Sequence, residues 1–554
     1  MASGAGRTDV RVPALTDMHI NLFSVGEVSN MGSYILNGIV GKYGNGEYFI
    51  QQRPSFQIWN LPSDYSVTEV IGRGVYYHAT AANLYFINDT TMYYDDYSTS
   101  MTLATVTSHS ADTSDATLFT TGTQRIYPCR LGDDLFWIDP ENNEGKYIRS
   151  ATSYTVLYDM GAGAGEHTSD DFTAFPPNNS KTLAHGACTL DQTMYVLATD
   201  GTIWGSALGN GKDWSSALNV ITAEVEEDAG VYIAKHHDNV VVFGRRTIEF
   251  FYDAGNPTGS PLGRRKDISY NIGCADPMSV WQHGDDIYFL GIDHTGSINP
   301  YRLRRWQLEP LGSPSVDSFF VTSKSQDDML MLGAGMSTGG GVYYILSVYY
   351  LDDSGDPTVT VTYVYNDASQ IWTEWQFSEA TMTDFPLVMY TQTDDSRIGE
   401  GIMLNGEMIY VADNFAPVDA VVPLPGDPYV SASYVASDYV VEGATGTSAS
   451  SAIKMIIRLD NWDGGNRNNK FLHQLRVVCD ETASSNNMTV RWNDGQSYGS
   501  GPDYTGTRTI DLSSNENKLT RLGKFKSRAF ELEYQGTEQI RVKGIDLTLT
   551  GGNV

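Results

Sequence analysis

Basic residues are scarce in this 554-residue chain: 36 Lys and Arg stand against 67 Asp and Glu, for a formal net charge of −31. The shortage is uneven. Residues 426–554 hold 14 basic and 15 acidic side chains, leaving 22 against 52 in the rest. Such a surface repels nucleic acid rather than gripping it, and keeps a large assembly in solution. Cysteine is equally sparse, with Cys129, Cys188, Cys274 and Cys479 far apart in the chain. That spacing excludes a closely paired zinc site and a disulfide framework, so reduced core thiols are expected. Long apolar runs are missing too: the longest, at 342–351, is interrupted by Ser347 and is too short to cross a bilayer. Residues 1–17 lack the unbroken apolar segment of a secretory signal. No stretch sustains a helical period, which disfavours helix bundles.

What the chain does have is 54 Gly, 34 Tyr and short apolar runs closed by Gly, Asn, Asp or Pro, the punctuation of strands that double back. The stretch 238–293 shows it most clearly, with strands expected at 240–243, 248–252 and 287–290. Gly132-Asp133-Asp134 before Leu135-Phe136-Trp137 recurs in type as Gly284-Asp285-Asp286 before Ile287-Tyr288-Phe289. Asp200-Gly201 reads as a hairpin turn. Units of this kind return roughly every 40 to 50 residues, as four-stranded propeller blades do, and predict about six or seven of them. The expected fold is all-β: a β-propeller over 61–425 with a loop insertion near 160–180, after an N-terminal extended segment at 1–60. Beyond Pro423-Leu424-Pro425-Gly426 the charge becomes balanced, and strands at 454–459, 472–479 and 488–492 predict a C-terminal β-sandwich domain over 426–554.

Candidate chemistry is thin. The Asp pairs 95–96, 133–134, 285–286 and 394–395 sit at turns, and neighbours on a strand point to opposite faces, so they do not flank a substrate bond together. Gly209-Asn210-Gly211-Lys212 imitates a phosphate loop, but Ser206 and Asp213 break the pattern. His236-His237 finds no further ligand at a recognisable spacing. Asp139, Glu141 and Asn143 imitate a calcium loop, with Gly145 one place late and Ser150 where Glu belongs. Asp494-Gly495 with Ser497 and Tyr498 matches half of an Asp-box turn. No catalytic, cofactor-binding or metal residue is assigned, and no cofactor is expected. Lys524, Lys526 and Arg528 alternate with Phe525, Ser527 and Ala529, which predicts a cationic strand face with a bulge near Ala529, a candidate assembly contact against an acidic surface.

Phe243-Gly244 with Ile248-Glu249, then Ser260-Pro261, Asn271-Ile272-Gly273-Cys274, Pro277, Ser279-Val280 and Gly284-Asp285-Asp286-Ile287 through Gly291 resemble the tail nozzle or hub proteins of short-tailed double-stranded DNA phages, also called packaged-DNA stabilisation proteins. Arg53-Pro54-Ser55 resembles the family's Arg-Pro-Gly step, with Ser in place of Gly. Trp492-Asn493-Asp494-Gly495, Arg521-Leu522-Gly523, Phe530-Glu531-Leu532 and Gly544-Ile545-Asp546-Leu547 resemble its closing domain. The resemblance implies a structural virion protein rather than an enzyme, assembled in the host cytoplasm and placed at the distal end of the tail. It further implies a ring of six copies, contacts with a tail adaptor and with needle, plug or fibre proteins, and genomic DNA passing through the lumen without sequence recognition, with the host surface as a further partner. The alternatives are a receptor-binding tail fibre and a glycan-binding or glycan-cleaving propeller.

Overall fold

The computed structural model describes residues 7–13, 34–58, 72–95, 104–108, 119–160, 175, 181–375, 387–391, 400–411, 453–494 and 504–551, with breaks of at most eight residues inside these ranges. Nearly all of their regular structure is strand.

Seven small antiparallel sheets follow one another along the chain. The first runs through Gly72–His78, Asn83–Asn88, Thr91–Asp95 and Ala104–Thr105. The second comprises Tyr127–Leu131, Asp134–Asp139, Glu144–Ile148 and Val156–Asp159, with Thr107–Ser108 added in parallel to its last strand. The third spans 188–222 and the fourth 230–270, each with four strands. The fifth, 273–310, splits its first strand into Gly273–Cys274 and Trp281–His283 around a 3₁₀ turn at Pro277–Ser279. The sixth, 329–374, has the longest strands, Met329–Thr338, Gly341–Leu351 and Pro357–Asn366, closed by Ile371–Glu374. In the seventh, Leu387–Thr391, Glu400–Met403 and Met408–Val411 take their fourth strand from far upstream, Phe56–Ile58, which pairs Val411 with Phe56.

Neighbouring sheets touch through their first strands, except that Asn239–Gly244, the second strand of the fourth, meets Gly273–Cys274 of the fifth, and Leu387–Thr391 contacts both Gly72–His78 and Met329–Thr338. Seven blades therefore form a closed β-propeller, within the six or seven expected. Supplying the last blade's outer strand from upstream of the first fastens the ring non-covalently.

Why these segments form blades is visible in their burial. Asn239–Gly244, Thr193–Leu197 and Thr202–Gly205 are buried on both faces, because each blade is covered by the next. Phe136, Ile138 and Tyr147 of the second blade meet Met194, Val196 and Trp204 of the third, and Val241, Phe243 and Phe250 of the fourth meet Ile287 and Phe289 of the fifth. Of the stretch 160–180, only Met160 and Phe175 are described; both are buried in the cluster between the second and third blades, and the rest lies outside the described residues.

The C-terminal strands build two stacked sheets. Met455–Trp462, Arg528–Tyr534, Asn487–Asn493 and Gly506–Asp511 form one, and Lys470–Cys479, Arg541–Gly551, Lys518–Thr520 and Lys524–Phe525 the other. Their facing side chains, among them Ile457, Leu475, Val490, Phe530 and Ile545, make a single core. Four N-terminal strands enter these sheets: Arg7–Pro13 and Tyr48–Gln52 pair with Arg541–Gly551, Gly38–Lys42 pairs with Tyr48–Gln52, and Tyr34–Leu36 pairs with Met455–Trp462. Leu36 also pairs in parallel with Glu374, which joins the sandwich to the outer strand of the sixth blade. Arg53 is buried where they meet, its Nε donating to Asn37 Oδ1 at 3.1 Å and its guanidinium over Trp375. Pro54 and Ser55 lie outside the described residues.

Candidate functional site

The recurring Gly-Asp-Asp turns join the first and second strands of their blades, with Gly132 at φ 63° and Gly284 at φ 58° as the first turn residue. A hairpin this tight needs positive φ there, which glycine adopts without a Cβ clash. The backbone of each turn then receives a histidine from the preceding blade. His78 Nε2 lies 3.3 Å from Asp133 O, and His236 Nδ1 lies 2.5 Å from Asp285 O. Both histidines end the first strand of their own blade and are buried, and burial lowers the pKa of each. The second ring nitrogen accepts a backbone N–H, from Ala81 at 3.1 Å on His78 and from Trp306 at 3.4 Å on His236. Each ring is thereby fixed as a neutral tautomer. His236 and His237 are thus part of a blade-to-blade contact, and among the described residues no group of three or more His, Cys, Asp and Glu could hold a metal.

Asp139, read from the sequence as the start of a loop resembling a calcium site, is fully buried against Arg73 of the first blade at 2.7 Å, while its Oδ1 accepts from Glu141 N. Arg73 also donates to Thr120 O and Gln124 O. A buried pair with its remaining donors satisfied is stable where a lone buried charge is not. Between the fifth and sixth blades Arg302 binds Glu309 and Asp367, and Arg304 binds Asp286 and Asp367. Gly209–Lys212 is a turn as expected: Ala207 and Asn210 form a bridge, and Trp214 Nε1 donates to Gly211 O.

The propeller axis is occupied by side chains. Arg125, buried just before the second blade, reaches across to Gly333 O of the sixth blade at 2.6 Å and Val280 O beside the fifth at 3.4 Å. In a ring of seven these are diametrically opposite blades. Around it, Tyr127 meets His185 Nδ1 at 3.1 Å and stacks edge-on against Tyr232, and Tyr344 donates to Ser279 O. Asp276 caps the 3₁₀ turn by accepting from Met278 N at 2.7 Å; burial pushes its carboxyl up to about 6 despite the favourable field of Arg125. Burial and Arg125 together push His185 down to about 4.

Above this plug lies a cleft of about 990 Å³ spanning the second to fifth blades, with Glu141, His185, Arg245, Arg246, Asp293 and His294 in its walls. It opens at the end of the propeller that carries the hairpins between second and third strands, opposite the Gly-Asp-Asp turns.

Lys524, Lys526 and Arg528 do not share a face. Lys524 and Lys526 are exposed, Lys524 lying 5.9 Å over the ring of Phe471. Arg528 is 1% exposed and turned inward, with Nε and Nη2 on the Asp494 carboxylate at 2.5 and 2.8 Å, Nη1 on Leu522 O at 2.8 Å, and the rings of Phe525 and Trp492 beside it. The reason is topological: Lys524–Phe525 belongs to one sheet and Arg528–Tyr534 to the other, so the chain crosses between layers at 526–527 and the period-two count restarts. The expected bulge falls opposite Ala529, on the partner strand between Leu459 and Trp462. All four cysteines are free thiols, and burial raises Cys129 to about 12.

Residues 156–331 match a phage protein family. Its model is Phage_stabilise, described as Bacteriophage P22 Gp10, beta-propeller. The matched stretch runs from the last strand of the second blade to the start of the sixth and includes Arg245, Asp276, His236 and the second Gly-Asp-Asp turn. No curated protein matches the chain. Among solved structures, BamB from Moraxella catarrhalis is similar at 10% identity and a TM-score of 0.33, covering 73% of this chain and 98% of its own. The computationally designed Ika8 protein is similar at 11% identity and a TM-score of 0.30, covering 69% and 98%. An exo-beta-1,3-galactanase from Phanerochaete chrysosporium is similar at 8% identity and a TM-score of 0.26, covering 76% and 96%.

Proposed function

We propose that this protein is a structural virion component of a short-tailed double-stranded DNA phage, forming the tail nozzle as a ring of copies around a lumen that conducts and gates the genome. The match of residues 156–331 to the phage family carries the reading. Two physical features support it. The propeller is closed by a strand from far upstream and crossed by buried arginines, which suits a part whose purpose is shape. Its axis is filled by Arg125 and its neighbours, so DNA would pass between copies, not through a single propeller. The acidic excess of residues 1–425 would then keep the duplex from adhering to the wall.

In this reading the sites are contact surfaces rather than reacting groups, and the tail adaptor and a closing needle, plug or fibre are the partners. Native mass measurement on the purified chain, alone and mixed with the adaptor encoded by the same phage, tests it. A closed oligomer, six copies being expected, agrees with the ring; a strictly monomeric product in both samples contradicts it.

A further inference from the structure

The hairpin tip Arg245–Arg246 is held in place with unusual firmness for an exposed turn. The Asp228 carboxylate accepts from the backbone N–H of Arg245, Arg246 and Thr247 at 3.0, 2.7 and 3.0 Å, so its charge is spent on main chain and not on the guanidiniums. Gly244 and Gly273 leave room for this: a Cβ on Gly244 would stand 2.3 Å from Asp228 Oδ2, and one on Gly273 would stand 2.0 Å from the Arg245 carbonyl carbon. Both arginine side chains are exposed on the wall of the 990 Å³ cleft, and neither has an ion-pair partner among the described residues.

The acidic groups sharing the cleft are already engaged. Glu141 accepts from Gln124 N at 2.8 Å and lies 3.6 Å from Arg73, and Asp293 accepts from Thr295 N, Thr295 Oγ1 and Ser297 N at 2.8, 2.6 and 3.0 Å. In a chain with so few cations, two adjacent arginines without an ion-pair partner among the described residues face a concave space at the upper end of the ~300–1,000 Å³ typical of ligand sites. The cleft draws its walls from four blades, with Ala229, Gly230 and Gly296 among the lining residues, which suits a segment that runs from blade to blade.

We propose that this cleft binds an acidic, extended peptide segment of a partner protein, with carboxylates on the Arg245 and Arg246 guanidiniums. Carboxylate is favoured over nucleic-acid phosphate because a long nucleic-acid chain would carry its charge past Glu141, Asp293 and the acidic surface around the cleft, whereas a short acidic segment meets the two arginines alone. The inference does not depend on the virion reading, since it uses only the charges and shape of this cleft.

Fluorescein-labelled hexaglutamate titrated into the full-length protein at low salt, followed by anisotropy, is the test. Hexaglutamine and a short single-stranded DNA are the comparison probes. Saturable binding of hexaglutamate is expected, weaker by ~10-fold or more in the R245E/R246E variant. The same affinity should persist in K524E/K526E, which alters exposed cations on the sandwich. Because both arginines are exposed, unchanged urea midpoints are expected, and R245Q/R246Q, which removes charge without reversing it, should fall between parent and R245E/R246E. Failure of hexaglutamate to bind, equal binding by R245E/R246E, equal weakening by K524E/K526E, or tighter binding of the DNA through these arginines would each overturn the proposal.

Discussion

His236 Nδ1 donates to the carbonyl oxygen of Asp285 across the boundary between the fourth and fifth blades, while its Nε2 accepts from Trp306 N. The same relation joins His78 to Asp133 across the first boundary, with the two nitrogens exchanged. Protonating either ring would set a new N–H against a backbone N–H. Burial already lowers both pKa values, so the folded state holds the neutral form and its advantage is complete above the unfolded value near 6.5.

His236→Leu should therefore lower stability by about 1–2 kcal/mol at neutral pH through two orphaned backbone groups. The deficit relative to the parent should shrink as the pH is lowered below 6.5, because only the parent then pays for keeping a histidine neutral. Urea midpoints of parent and variant between pH 7.5 and 5 check both parts, using ordinary buffers near the ~6.5 reference.

At the axis, Asp276 and His185 oppose each other. Asp276, raised to about 6, binds its proton more readily folded than unfolded, so its contribution improves as pH falls from about 6 towards 3.8. His185, lowered to about 4, contributes stability above 6.5 that is lost as pH falls towards 4. The two nearly cancel in the parent. Asp276→Asn should unmask the histidine and lose up to about 3 kcal/mol on acidification across this window; His185→Gln should unmask the carboxyl and gain a similar amount. Denaturation midpoints across pH 4–6.5 decide it, and parallel profiles for the two variants would refute the assignment.

Arg125→Met keeps the length of the side chain and removes its donors. With Gly333 O and Val280 O left unpaired and Asp276 deprived of its cation, a loss of about 3 kcal/mol is expected. Thermal unfolding should show it as a lower transition temperature, with Asp276→Asn in the same chain recovering part of the loss.

In the sandwich, Arg528→Met should cost about 3 kcal/mol, because it strands Asp494 and Leu522 O beneath Trp492 and Phe525. Lys524→Ala and Lys526→Ala should each stay within about 0.5 kcal/mol, as exposed cations do. A urea titration of the three variants separates them.

Much of the propeller is legible in the sequence because its signals are local. The Gly-Asp-Asp turns announce hairpins through the one residue that must take positive φ, and the strands around 240–243, 287–290 and 342–351 are bounded by residues that cannot continue them. Relations between distant segments leave no such mark. Nothing in Phe56–Ile58 shows that it closes the seventh blade, nor in Arg7–Pro13 that it pairs with Arg541–Gly551. Arg73 and Arg125 look like surface cations because their partners are mostly carbonyl oxygens, which any residue supplies. The alternation at 524–528 misleads for the same reason: it assumes one sheet where the chain changes layers. The unmatched Arg245–Arg246 pair was visible as two letters, but only the engagement of Asp228, Glu141 and Asp293 with other groups sets it apart.

The central claim is that this chain is a shaped, acidic element of a phage tail. Cryo-electron microscopy of the intact virion, with the seven-bladed propeller and its sandwich fitted to the map, tests it most directly. The account predicts repeated copies encircling the tail axis at its distal end, with the propellers beside the lumen and their own axes closed. Copies projecting away from the axis, or none in the particle, would contradict it.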